Sequence, residues 1–170
     1  MKPAVVVDTN VPIVANGRAE QAGPACVSTS IRKLREIHSR HRVLVDRAGF
    51  ILDEYRRHLS PRGQPGLGDA FFKWLWDNQA NPQVCYQVMI TPSGADAETF
   101  VEFPTDPRLA KFDPSDRKFV AVVLACGEQA PIINATDTDW WDCREALADH
   151  GVTVDFLCPE LMTRARNRQR

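Results

Sequence analysis

Short apolar runs alternate along this chain with longer stretches whose apolar residues recur at helical spacing. Residues 4–7 are a Val-rich run, short and β-branched, as a buried strand is. Between 11 and 24, Pro12, Gly17, Gly23 and Pro24 limit any helix to a short, interrupted one. Ser28 or Ser30 is placed to cap a helix reaching about residue 41, with Ile31, Leu34 and Ile37 on one face. Residues 43–46 read as a second strand. In the helix expected over 48–59, Ile51, Leu52, Tyr55 and Leu59 make an apolar face. Glu54 lies at the edge of that face and Asp53 points nearly opposite. Residues 60–68, rich in proline and glycine, form a loop, and a helix carrying Phe71, Phe72, Trp74, Leu75 and Trp76 follows.

Residues 84–90 alternate loosely, as a strand does. Residues 91–112 are polar and proline-containing, with a short edge strand around Phe100 to Phe103. The segment 113–126 predicts a helix with Asp113 as N-cap, Pro114 in the first turn and Asp116 at the third position. Its Phe119, Val122, Val123 and Cys126 share a face, and Gly127 is placed to stop it. A strand over 131–135, a helix over 139–149 ending at Gly151 and a strand over 152–157 complete the pattern. This alternation predicts an α/β fold, a three-layer α/β/α sandwich with a central, mostly parallel sheet of four to five strands. Residues 1–158 make one domain and 159–170 a basic C-terminal helix or tail.

Composition narrows the reading only slightly. A chain of 170 residues, 44% apolar and 25% charged, is of ordinary globular type and suits one domain. Its net charge of −1 carries no signal for nucleic acid. Basic residues do crowd locally: Arg32, Lys33, Arg35, Arg40 and Arg42, with His38 and His41 among them, and Arg164, Arg166, Arg168 and Arg170 at the end. A solvated helix face and a solvated tail are the plain readings, and a phosphate-backbone contact is the other. Trp74, Trp76, Trp140 and Trp141 are expected in the core rather than stacked on bases. Five cysteines with no CxxC pair argue against a zinc knuckle or a disulfide framework, and Cys126 and Cys158 read as core filler. With no secretory leader pattern and no run long enough to span a membrane, a soluble protein of the reducing cytoplasm is expected.

Candidate chemistry comes from acids. Asp8 ends the first apolar run and Asp137 ends that over 131–137, so in a parallel sheet both stand at the carboxyl edge, where such folds place ligands. Asp116 opens a helix entering from that edge, and Glu54 lies near the start of another. Carboxylates brought together repel unless a hard divalent cation neutralises them, Mg²⁺ or Mn²⁺ being the usual ones. Each acid also has a plain reading. Asp8 can close an Asx turn with Thr9 and Asn10, and Asp113 and Asp116 can be helix-terminus acids. Asp139 can cap its helix with Asp142 three residues on, and Glu54 can pair with Arg57 or His58. Chance caps, however, would not collect at one edge of the sheet.

The same residues carry a resemblance to the PIN-domain family, of which the compact VapC-like ribonuclease toxins are members. Asp8, Thr9 and Asn10 match its strand-end motif, and Glu54 in ILDEYRRHL its helix glutamate. Asp116 in DPSDRKFVAVVLA matches its helix-opening aspartate. Asp137 in ATDTDW matches its fourth acid, with Asp139 as second candidate. The resemblance covers roughly residues 4–157, and 60–112 match nothing in it. It implies a metal-dependent endoribonuclease. Asp8, Glu54, Asp116 and Asp137 would be catalytic, and these four with Asp139 the candidate ligands of Mg²⁺ or Mn²⁺. Glu54 would bind the ion or orient its water, and Thr9 and Asn10 would support the ligands by hydrogen bonds. Implied partners are an RNA substrate, an antitoxin if the chain is the toxin of such a pair, and a second copy in a homodimer; no membrane is implied. The alternatives are a non-catalytic domain of this fold that binds RNA or protein, a phosphatase of the haloacid dehalogenase type and a response-regulator receiver. That phosphatase needs a second Asp where Asn10 stands, and the receiver a Lys that is missing after residue 135.

Overall fold

The computed structural model describes residues 1–96 and 98–169. The Val-rich run is β1 (Ala4–Val7), followed by α1 (Asn10–Ala15) and α2 (Pro24–Arg40). Then come β2 (Arg42–Asp46), α3 (Phe50–His58), α4 (Leu67–Asp77) and β3 (Cys85–Val88). Two 3₁₀ turns, Pro107–Leu109 and Pro114–Asp116, lead into α5 (Arg117–Cys126). The chain continues through β4 (Ile132–Asn134), α6 (Thr138–Asp142), α7 (Arg144–Asp149), β5 (Val154–Phe156) and α8 (Pro159–Arg168). Among the described residues the strands make one five-stranded, all-parallel sheet in the order β3-β2-β1-β4-β5, flanked by helices as a three-layer α/β/α fold.

The strands are apolar on both faces because helices cover both. Val5, Val6, Val7, Val43, Leu44, Val45, Ile132 and Ile133 are all buried. The strand order carries the functional consequence. From β1 the chain builds outward through β2 and β3, then returns to lay β4 against the other side of β1. The reversal puts a crevice beyond the carboxyl ends of β1 and β4, where an open α/β sheet binds its ligand. The two strands stay in register to that end, since Asp8 N donates to the Ile133 carbonyl at 3.0 Å.

Several expectations are corrected. Helix α2 starts at Pro24 with Gly23 as its cap, earlier than Ser28 or Ser30, because proline suits a first turn that needs no N–H partner. Phe100 joins only an isolated antiparallel bridge with Pro92 instead of an edge strand. The helix expected over 139–149 breaks at Cys143 into α6 and α7, and Asp137, not Asp139, caps it. Gly127 ends α5 as expected, in the left-handed conformation at φ 71°. Cys158 is not filler: it is disulfide-bonded to Cys26, 132 residues away, and ties the start of α8 to the start of α2. Cysteine count and spacing cannot show a pair brought together only by folding. No helix among the described residues is long and apolar enough to cross a membrane.

Candidate metal centre

Three of the expected acids converge. Asp8, Asp116 and Asp137 each offer a carboxylate oxygen within 4.8 Å of the others. Asp8 follows β1 and Asp137 follows β4, the two strands that flank the crevice, while Asp116 comes from the 3₁₀ turn that starts α5. The local sequence explains each placement. Asp113 accepts hydrogen bonds from Ser115 N at 2.9 Å and Ser115 Oγ at 2.8 Å, closing the turn that delivers Asp116. Because Asp113 performs the capping, Asp116 makes no side-chain cap bond at α5. Asp137 caps α6 by accepting from Asp139 N at 3.0 Å, and Asn10 N donates to Asp8 Oδ1 at 3.2 Å. The Asx reading of Asp8 therefore holds for one oxygen only, since Oδ2 is buried with no hydrogen-bond partner.

Electrostatics follows from the crowding. Burial first, then the charge of Asp137 and that of Glu54, pushes the Asp8 carboxyl up to about 7, against the Asn10 N–H and the Trp140 indole, which hold it down. Burial and the charges of Asp8 and Asp137 push Asp116 up to about 10. Burial raises Asp137 as well, against the Asp139 N–H. The Trp140 side chain is fully buried, and its Nε1 completes no hydrogen bond. Three buried carboxyls whose pKa values are all raised by burial and crowding fit a hard divalent cation, whose charge would relieve that repulsion.

Glu54 and Asp139 stand apart from this triad. The helical-face argument holds for α3: Ile51, Leu52 and Tyr55 are buried, Asp53 is exposed and Glu54 is half-buried at the edge. Glu54 does not pair with Arg57 or His58. It accepts from Thr9 Oγ1 through one oxygen and from Lys118 Nζ at 3.0 Å through the other. Neighbouring Tyr55 ties α3 to β1 by donating its hydroxyl to the Val7 carbonyl. Asn10 Oδ1 accepts from Ala135 N at 2.8 Å, which links the turns after β1 and β4. Beside Glu54 opens a cavity of about 280 Å³ whose wall includes Phe50, Glu54, Arg57, Phe100, Ser115 and Lys118.

Sequence reasoning missed Lys118. A signal was present: a lysine within the otherwise apolar KFVAVVLAC is buried with the helix and therefore needs a partner. It also missed Trp140 as a neighbour of Asp8. The basic groups divide. Arg32, Arg35 and Arg40 are exposed along α2, which runs from the carboxyl edge back to the amino edge where β2 begins. Lys33 bridges to Asp155 at 3.3 Å and Arg42 is buried against Glu128 at 2.7 Å. Arg164 and Arg168 are exposed on α8, whereas Arg170 and the side chain of Arg166 lie outside the described residues. Arg117 donates to the carbonyls of Ala110 and Phe112, and Arg56 lies over the Trp76 ring. No protein-family model matches the chain, and neither a curated protein nor a solved structure does.

Proposed function

We propose that this chain is a metal-dependent nuclease of the PIN-domain type that hydrolyses RNA, with Mg²⁺ or Mn²⁺ held by Asp8, Asp116 and Asp137. One observation carries the reading: three carboxylates meet within 4.8 Å at the crevice beyond β1 and β4, where a buried oxygen of Asp8 completes no hydrogen bond and has the Trp140 indole as a neighbour. A divalent ion held there supplies the Lewis acid for in-line hydrolysis of a phosphodiester. The chain supplies the rest. The Asn10 amide orients one oxygen of Asp8, the Asp139 N–H orients Asp137, and the Thr9 hydroxyl holds Glu54 beside them. The Glu54 carboxylate is thereby placed to orient a water or take its proton. RNA as the substrate, a toxin role and a partner antitoxin follow from the resemblance of the motifs at Asp8, Glu54, Asp116 and Asp137.

The test is cleavage of a labelled single-stranded RNA with Mn²⁺ or Mg²⁺ and again with chelator. Cleavage is expected only with metal, and Asp116→Asn lowers it by more than about a hundredfold, at least the loss seen for groups that merely orient ligands. Undiminished cleavage in chelator, or by Asp116→Asn, rejects the reading. RNA retained without cleavage assigns the fold to a binding module instead.

A further inference from the structure

An ammonium group stands beside this acidic site, and three converging carboxylates do not by themselves account for it. The first turn of α5 carries Lys118 inward: its side chain is 11% exposed, and that of its partner Glu54 14%. Lys118 Nζ donates to Glu54 Oε1 at 3.0 Å and to the Ser115 carbonyl within the turn that delivers Asp116. The second oxygen of Glu54 accepts from Thr9 Oγ1. Both oxygens of Glu54 are thus engaged, while Asp8 Oδ2 completes no hydrogen bond. The acids divide into a triad open to a cation and a glutamate whose charge a lysine already answers. A part-buried ion pair is weak evidence for a stabilising role, and this one borders the acidic site.

Resting on the nuclease reading, we infer that Lys118 is a positioning residue: by pairing with Glu54 it keeps that carboxylate beside the metal rather than on it, as an orienter of water. The pair adds no net charge to the crevice, so a cation meets three carboxylates instead of four. Lys118 and Glu54 also share the wall of the 280 Å³ cavity, which Asp53, Asp96 and Glu98 line as well.

Mn²⁺ binding, measured without RNA, separates this from a merely structural ion pair. Lys118→Met is expected to tighten Mn²⁺ binding roughly three- to tenfold, because a nearby cation is lost and Glu54 is released to become a fourth ligand. In the same variant kcat falls on the order of 10- to 100-fold, as for a misplaced reacting group. Lys118→Gln, which keeps a donor but not the charge, follows the Met variant in metal affinity, and Lys118→Arg recovers part of the lost kcat. Weaker Mn²⁺ binding by folded Lys118→Met and Lys118→Gln, or an unchanged kcat, overturns the inference. A wild-type protein that binds Mn²⁺ yet cleaves no RNA sinks the nuclease reading alone, since the affinity comparison still tests the hold of Lys118 on Glu54.

Discussion

Two neighbouring strands end in an aspartate at the same edge of the sheet, and the two carboxylates meet opposite fates. Asp46, at the end of β2, is 1% exposed and fully engaged: its oxygens accept from Phe50 N at 2.9 Å and Ile51 N at 2.8 Å. Its charge is answered by the N-terminus of α3, where unpaired N–H groups and the helix dipole welcome an anion. Asp8, just past β1, is 3% exposed and keeps one oxygen without a partner among two other carboxylates. Asp69 sides with Asp46. Despite burial, the N–H groups of Ser60 and Gly66 hold its carboxyl below the usual range. A buried aspartate is thus answered where main-chain donors surround it, and left with an unanswered charge where other carboxylates do. By fixing the start of α3, Asp46 also sets where Glu54 stands, so the structural acid supports a residue of the proposed site.

The sharpest way to break this contrast is to neutralise one acid of each kind. Asp8→Asn should lower metal-dependent cleavage by more than about a hundredfold. It should also raise the stability of the metal-free protein at pH 8 by roughly 1–3 kcal/mol, because it removes a buried, repelled charge. Asp46→Ala should do the reverse to stability, lowering it by about 1–3 kcal/mol through the loss of both helix-start bonds. Denaturant melts of the two variants measure this, and a shift of the same sign in both dissolves the distinction.

A smaller effect lies in pH. A folded-state carboxyl with a raised pKa binds its proton more tightly than the unfolded chain does, so it costs stability as pH rises. Metal-free protein should therefore lose stability from pH 4 towards pH 7, the interval between the ordinary value of 3.8 and the value of about 7 at Asp8. The slope is up to about 1.4 kcal/mol per pH unit for each such group. Asp116, pushed higher still, extends the fall above pH 7. Asp69, whose pKa is lowered, acts with the opposite sign and below that window. Saturating Mn²⁺ should flatten the profile, and a metal-free protein whose melting temperature rises over pH 4–7 contradicts the picture. The smallest effect is at exposed Asp53, paired with Arg56 only at 4.0 Å. Asp53→Ala should change stability and cleavage hardly at all, by less than about 0.5 kcal/mol in a melt.

The strand ends were legible because a parallel sheet buried on both faces writes its strands as apolar runs, and a polar residue ending such a run marks the carboxyl edge. Glu54 was legible against Asp53 through helical periodicity alone. Lys118 was harder to read, because its partner lies 64 positions earlier in the chain. The plain reading of Asp8 was half right, and Asp137 took the capping part expected of Asp139. Asp8 does close an Asx turn and Asp137 does cap a helix, and neither contact uses up the carboxylate. The cysteine reading went astray for the same reason that Lys118 was missed. Cys26 and Cys158 pair only because α2 and α8 both start at the carboxyl edge.

What the sequence determines by itself is local: which segments are strands or helices, which face of each is apolar, and which acids stand at their ends. Those properties follow from side-chain period and capping, each set within a few residues. The tertiary structure decides which of those acids are answered and by whom. Strand order brings Asp8 beside Asp137, and the α5 turn adds Asp116. The packing of α3 on β1 hands Glu54 to Thr9 and Lys118. Charge and hydrogen bonding depend on distances across the fold, so the same aspartate at the end of a strand is a helix cap after β2 and a candidate metal ligand after β1.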